Sequence, residues 1–262
     1  MKKNLTKGQI RLIIIVSFLY LYIVGALINF IIRANYENAF ICVLTLITFS
    51  IPRFMERKLK IEIPTLMEGI IFVFIFCAQI LGELQCYYIQ FPYWDTMLHT
   101  VSGFLFAAIG FSLIDIMNRD SRIKFHLSPL YVSIVAFCFS MTVGVFWEFF
   151  EFAMDSVFNF DMQKDTIING FYSIIFDPTN SNKAIYSGDI KSIIINGQEI
   201  KGYIDIGIID TMADLFVNFI GAFVFSVSGG FYIKHRGEKK GLAEKLIVRV
   251  KEDEFKGDKE NG

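Results

Sequence analysis

Charged residues are scarce in this sequence. Asp, Glu, Lys and Arg make up 19% of its 262 residues, whereas a soluble domain averages about 25%. The net charge is only −1, and no basic motif interleaved with aromatic residues indicates a nucleic-acid partner. The four cysteines show no paired spacing, so neither a disulfide framework nor a zinc ribbon is predicted. G-x-S-x-G and H-E-x-x-H motifs are also absent, which leaves the sequence without a recognised hydrolase signature.

Apolar residues, in contrast, are abundant and come in long runs. Hydrophobic residues make up 54% of the chain, including 29 Phe, and the mean hydropathy is +0.49. Runs of about 20 apolar residues are typical of transmembrane helices. We therefore predict an all-α membrane protein, a six-helix bundle with spans near 12–32, 39–51, 64–84, 94–116, 128–153 and 209–233. The second of these spans is short and could extend to either side. The first run is too long for the core of a cleaved signal peptide, so we expect it to remain as an anchor.

The distribution of Lys and Arg predicts the orientation of the chain. These residues concentrate in 1–11 and after the second, fourth and sixth spans. By the positive-inside rule, both termini are cytoplasmic and the protein lies in the cell membrane. The predicted domains are a transmembrane domain over 1–236, which includes an extracytoplasmic loop at about 156–206, and a charged cytoplasmic tail over 237–262. The composition bias hints at a bacterial source.

Short structured segments are predicted within the loop and the tail. Asn196-Gly197 lies between residues that favour β-strands, which is a strong hairpin signal. Residues 177–182, DPTNSN, are typical of turns. Residues 242–250 of the tail predict a short surface helix or strand, with the rest of the tail disordered.

The candidate site lies at three helix ends. The run 144–155, GVFWEFFEFAMD, places three carboxylates in one stripe of a helix at 100° per residue. The fourth span carries Asp95 and His99 at i, i+4, and the sixth span carries Asp210 and Asp214 at the same spacing. The predicted orientation puts these two pairs and the three carboxylates of the fifth span on the extracytoplasmic side. The predicted site residues are Asp95, His99, Glu148, Glu151, Asp155, Asp210 and Asp214. Asp161, Asp165 and Asp205 could reach the site from the loop.

A divalent cation is the simplest counter-charge for such a cluster, because unscreened carboxylates would repel one another or take up protons. Oxygen ligands with a single imidazole favour Mg²⁺, Mn²⁺, Ca²⁺ or Fe²⁺ over a structural Zn²⁺ site. Zn²⁺ stays among the candidate ions, and the Glu-x-x-Glu pair could bridge two metals. The alternatives are a proton-linked carboxylate cluster and acids that are merely solvated at the membrane surface.

Two further expectations concern the same helices. Gly103, Gly144 and Gly221 are predicted to allow close helix packing beside the acidic cluster. Asp115 and Glu68, near the cytoplasmic ends, are expected to be solvated or to extend their side chains toward the aqueous interface.

Three ordered motifs resemble those of the YjdF-like inner membrane proteins of bacteria. They are D-x-x-x-H-x-x-x-G at 95–103, an aromatic residue followed by E-x-x-E at 147–151, and D-T-x-x-D at 210–214 with I-G-A at 220–222. The resemblance covers about 94–222 and implies a multi-span membrane fold, but it supplies no reaction. The long loop, about 160–205, departs from the pattern of that family.

Three functions remain open from the sequence. The first is a metal-dependent enzyme that acts in the outer leaflet on a lipid or lipid-linked substrate. The second is a transporter that uses the carboxylates for cation or proton movement. The third is a structural or partner-binding membrane protein, in which the cluster holds three helices together.

Overall fold

Six long helices dominate the computed structural model, which describes residues 5–119, 127–235 and 245–250. They are α1 (Lys7–Ile32), α2 (Tyr36–Lys58), α3 (Thr65–Ile75, continued as a π-helix over Phe76–Leu84), α5 (Trp94–Arg119), α6 (Pro129–Phe158) and α7 (Ile208–Lys234); α4 (Tyr87–Gln90) is a single turn. All six are long and apolar enough to cross a membrane, judged by length and composition. The prediction of an all-α, six-span protein is confirmed. Basic residues predicted to follow the fourth and sixth spans, within 120–126 and 236–240, lie outside the described residues.

The second helix extends past both ends of the short predicted span of 39–51. The expected span of 39–51 stops before Pro52, yet α2 continues to Lys58 with Pro52 buried inside it. Asn35 begins the helix, because its side chain accepts a hydrogen bond from the backbone N–H of Asn38 at 3.1 Å. A proline costs a helix one backbone hydrogen bond, and the burial of Pro52 within the bundle offsets that loss.

The chain divides into two compact units, Met1–Gly144 with Val217–Gly262, and Val145–Phe216. The described residues of the first unit form two apolar cores. One core joins α1, α2 and α3 through Leu19, Ile23, Cys42, Phe49, Phe72, Ile75 and Ile80. The other joins α3, α5, α6, α7 and the C-terminal segment through Met67, Ala107, Ala108, Phe111, Val132, Ala136, Ala222, Phe225, Leu246, Ile247 and Val248.

The C-terminal segment, defined here as residues 245–250, belongs to this second core. Leu246 and Ile247 are each 2% exposed, and the backbone N–H of Val248 donates to Ser112 Oγ on α5 at 3.0 Å. Strand β8 (Arg249–Val250) pairs antiparallel with β1 (Ile61–Glu62). The sequence predicted a surface segment over 242–250. For the described part the surface location is wrong, because its three consecutive apolar residues gain more by packing on α5 than by facing water.

Burial at this end of α5 also corrects a second expectation. Asp115, which the sequence placed in water, is 2% exposed. It lies one turn after Ser112, the residue that binds the C-terminal segment. The remainder of the predicted tail, residues 237–244 and 251–262, lies outside the described residues.

The second unit consists of the adjoining ends of α6 and α7 with the loop between them. Its strands form three antiparallel pairs: β2 (Ile167–Ile168) with β7 (Tyr203–Ile204), β3 (Phe171–Ser173) with β4 (Ile185–Ser187), and β5 (Ile193–Ile195) with β6 (Gln198–Ile200). The turn between β5 and β6 has positive φ at both central residues, 51° at Asn196 and 84° at Gly197. Such a turn matches the twist of paired strands, and the predicted hairpin is confirmed.

Asp177 organises the predicted turn at 177–182. Its carboxylate accepts hydrogen bonds from the backbone N–H groups of Thr179, Ser181 and Lys183, at 3.0, 2.8 and 3.0 Å. The Thr179 hydroxyl also donates to it at 2.6 Å. These donors, the Thr179 hydroxyl first, hold the pKa of Asp177 well below its usual range. The turn is therefore a closed, hydrogen-bonded structure.

Candidate metal site

The first pair of site residues lies on α5. Asp95 and His99 are one helical turn apart, and Asp95 Oδ1 lies 3.5 Å from His99 Nε2. His99 is 8% exposed. A carboxylate at this position orients the imidazole ring, which is the usual support for a metal-binding histidine.

Small residues bring α5, α6 and α7 together one turn beyond His99. A Cβ atom on Gly103 would collide with the backbone oxygen of Asn218, and one on Gly144 would lie 2.6 Å from Asn218 Nδ2. Likewise, a Cβ atom on Gly221 would collide with the backbone oxygen of Thr100. The prediction that Gly103, Gly144 and Gly221 allow close packing is confirmed. Only glycine permits these approaches, so the three helices have one register.

Hydrogen bonds fix that register at two further points. Ser140 Oγ on α6 donates to the backbone oxygen of Gly103 at 2.7 Å. At the other end of the helix pair, Asn118 Oδ1 accepts from the backbone N–H of Leu127 at 2.7 Å. The two contacts make α5 and α6 antiparallel neighbours.

The close approach at Asn218 sets where the charged residues lie along their helices. His99 precedes Gly103 by four residues, Glu148 follows Gly144 by four, and Asp214 precedes Asn218 by four. Each is thus about 6 Å farther along its own helix and on the same face as the packing residue.

Two groups of side chains offer ligand atoms within 4.8 Å of one another. One group is Asp95, His99 and Asp214, and the other is His99, Glu148 and Glu151. All but Asp95 are buried, with Asp214 3% and Glu148 4% exposed. The described residues therefore hold buried acidic and histidine groupings that could bind a metal ion. His99 is common to both groups.

Trp147 has a role that the sequence did not reveal. The indole Nε1 of Trp147 donates a hydrogen bond to Glu151 Oε1 at 2.8 Å. The two residues are one turn apart on α6, so the bond fixes the rotamer of the carboxylate. The i, i+4 spacing of an aromatic donor and an acid within an apolar run is the signal that could have identified this pair.

Asp155 and Asp210 are placed differently from the other predicted site residues. Asp155 accepts from the backbone N–H groups of Met162 and Gln163, at 2.6 and 2.8 Å. Asp210 accepts from the backbone N–H of Lys164 at 2.9 Å. The two carboxylates tie one segment of the loop, 162–164, to the ends of α6 and α7. Neither belongs to the two groups above.

Asp205 is the third acid that holds the loop. Its carboxylate accepts from the backbone N–H groups of Thr166, Gly207 and Ile209, at 2.6, 3.3 and 2.9 Å. Burial alone would raise the pKa of Asp205, but these hydrogen bonds outweigh burial and lower it. An acid a few residues before an apolar helical run is a helix-start signal. This signal explains why an acid lies at position 205, just before α7.

Asp165 lies near three other acidic residues of the loop and the adjoining helix end. Burial, followed by the charges of Asp161, Asp205 and Asp155, raises the pKa of Asp165. The charges of these three acids therefore add to the effect of burial in disfavouring the ionised form of Asp165.

The fold and this geometry define a class: a multi-pass membrane protein that places a buried histidine and several acids at the ends of apolar helices. With its apolar helices it would lie in a lipid bilayer.

The chain belongs to the family described as predicted membrane protein (DUF2238), whose family model matches residues 14–235. This match is consistent with the resemblance to YjdF-like proteins and confirms membership of a membrane protein family. No curated protein matches the chain, and no solved structure does so.

Proposed function

We propose that this protein is a metal-dependent enzyme that binds a divalent cation at the ends of α5, α6 and α7. The proposed ligands are Asp95, His99, Glu148, Glu151 and Asp214. Asp155 and Asp210 are proposed to position the loop beside them. The supporting observation is that buried carboxylates share one imidazole within 4.8 Å, because buried acids in a membrane bundle need a counter-charge.

The donor set favours hard or intermediate ions. Four carboxylates and one imidazole suit Mg²⁺, Mn²⁺, Ca²⁺ or Fe²⁺, with Zn²⁺ less favoured. When bound, such an ion polarises a phosphoryl or carbonyl oxygen or activates a water molecule. A substrate that reaches ligands at the ends of membrane helices is expected to be a lipid or a lipid-linked molecule.

The proposed orientation places this site on the outer face of the cell membrane, with both termini in the cytoplasm. The distribution of Lys and Arg supports it. Reporter fusions after residues 118 and 190 test it: a periplasm-active reporter should work only at the second position. Reporter activity only at the first position would place the site on the cytoplasmic face of the membrane.

Metal content of the detergent-purified protein is the direct test of the site. Glu148→Gln/Glu151→Gln should lose near-stoichiometric metal that the wild type retains. The matched control, Glu37→Gln/Glu199→Gln, removes two acids at exposed positions outside the groups and should keep the metal. Absence of metal from the wild type, even after loading with each candidate ion, would contradict the proposal.

The enzymatic part needs a separate measurement. Metal-loaded protein in vesicles of bacterial lipid extract should change the lipid composition detected by mass spectrometry, and the double glutamine variant should not. Bound metal without any lipid conversion would refute the proposed enzymatic activity and favour a structural or transport role for the same ion.

A further inference from the structure

The hairpin formed by β3 and β4 carries an exposed apolar tip. Its 3-10 turn, Ile174–Phe176, contains three consecutive large apolar residues that are 55%, 86% and 49% exposed. Runs of three exposed apolar residues are rare on surfaces that face water, unless they bind something.

The tip is a formed structure. Ser173 Oγ accepts a hydrogen bond from the backbone N–H of Ile175 at 3.1 Å, which caps the turn. Directly after it, the carboxylate of Asp177 accepts from the backbone of Thr179, Ser181 and Lys183. Both sides of the apolar run are therefore fixed, so the run is held outward.

The surroundings of the tip have the composition of a membrane-interface element. Tyr172 and Tyr186 lie opposite each other on β3 and β4, with ring centroids 4.9 Å apart, and are 71% and 58% exposed. Between residues 171 and 187 the charged residues are Asp177, which is buried, and Lys183, which is exposed. Tyrosine rings and an exposed lysine beside apolar side chains suit the boundary between acyl chains and anionic headgroups.

Ring contacts connect this tip to a membrane-spanning helix. Phe176 lies 6.1 Å from Phe171, and Phe171 lies 4.9 Å from Tyr203, both between ring centroids. Tyr203 is two residues before Asp205, whose carboxylate binds the backbone N–H of Ile209 in the first turn of α7. The tip and the start of α7 therefore belong to one connected set of contacts, and α7 is apolar enough to cross a membrane.

Exposed apolar residues also continue from α6 into the loop. Phe158, the last residue of α6, is 61% exposed, and Phe160 is 58% exposed. Side chains of this kind on a spanning helix face lipid. The exposed apolar surface of the second unit therefore continues past the helix end and into the loop that carries the hairpin.

We propose that the tip Ile174–Phe176 inserts into the lipid leaflet next to the loop, with Tyr172 and Tyr186 at the headgroups. The partner is the bilayer itself, preferably one that contains anionic lipid to pair with Lys183. The hairpin is then a peripheral membrane anchor in addition to the six spans, and it holds the loop down on the membrane surface. This proposal does not depend on a bound metal.

Spin labels with power-saturation measurements test the insertion. The label is placed at Ile175→Cys in a variant whose four native cysteines are replaced, reconstituted into phosphatidylethanolamine and phosphatidylglycerol vesicles. Glu199→Cys, on the β6 strand of the same loop, is the matched control because it is exposed and polar. The label at 175 should collide more often with oxygen, which concentrates in lipid, than with a water-soluble nickel complex. The label at 199 should show the reverse.

Two results would overturn the proposal. Equal access of the nickel complex to labels at 175 and 199 would place the tip in water. Protection of the label at 175 from both reagents would place it against protein, as in a complex with a second copy. Tyr172→Cys serves as a second label site, with intermediate depth expected, so that one poorly folded variant does not decide the outcome.

Discussion

Replacement of Ile247 by alanine tests whether the C-terminal segment is part of the core of the bundle. Ile247 is 2% exposed and belongs to the same apolar cluster as Ala108 and Phe111 on α5. Truncation of a buried isoleucine to alanine removes three carbon atoms and leaves a cavity. Such changes typically cost about 2–5 kcal/mol. We expect the upper part of that range only if the neighbouring helices cannot move inward.

Thermal unfolding in detergent micelles, followed by circular dichroism, measures the effect. For chains of this size, 1 kcal/mol corresponds to about 2–4 °C in Tm, so the cost of about 2–5 kcal/mol for Ile247→Ala should lower Tm by about 4–20 °C. Ile247→Val leaves a smaller cavity and should cost about 1 kcal/mol. The control is Ile194→Ala in β5, where the side chain is 75% exposed and little change is expected.

The comparison of the two alanine variants decides whether the C-terminal segment stabilises the core. If Ile247→Ala and Ile194→Ala shift Tm equally, the segment contributes nothing to the core and its burial is incidental. Removal of residues 245–262 gives an independent check, since it deletes all three buried side chains and the hydrogen bond to Ser112. That truncation should therefore destabilise the protein more than Ile247→Ala does.

Three further predictions follow from other parts of the molecule. Gly221→Leu should lower Tm by several degrees because its side chain would collide with α5, whereas Gly25→Leu, with open space around it, should not. Asp177→Asn should speed amide hydrogen exchange in the 179–183 turn at pH 7. Because the folded pKa of Asp177 is lowered, the carboxylate stabilises the turn above about pH 4. That contribution disappears as pH falls toward the folded pKa, so the difference between variant and wild type should shrink. Trp147→Phe should weaken Mn²⁺ binding about 10–100-fold in a titration by electron paramagnetic resonance, because the bond to Glu151 is lost; unchanged affinity would mean that the indole does not orient the ligand.

The spans were predictable because a membrane helix is specified by local sequence alone. Length and apolar composition suffice, and even the hairpin at Asn196-Gly197 depends on two adjacent residues. The packing glycines were also within reach, since i, i+4 spacing relates Gly103 to His99 on one face of α5. These features depend on neighbours in the sequence.

The features that sequence reasoning missed depend on distant partners. Nothing local distinguishes Asp155, whose carboxylate binds backbone N–H groups in the loop, from Glu151, which lies near His99. Both are acids on the same stripe of α6. The burial of Asp115 likewise depends on how the chain packs and has no local sequence signal.

The pairing of β1 with β8 also has a consequence for the order of events during synthesis. Ile61 pairs with Val250, so β1 must wait for roughly 190 further residues before its partner exists. At about 5–20 residues per second, that delay is roughly 10–40 s. During it α3 and α5 are made, but their shared core stays incomplete until the C-terminal segment follows. A ribosome that stops early would release a chain with all six apolar helices and an open core. Such a chain would expose apolar surface that a membrane protease or chaperone can recognise.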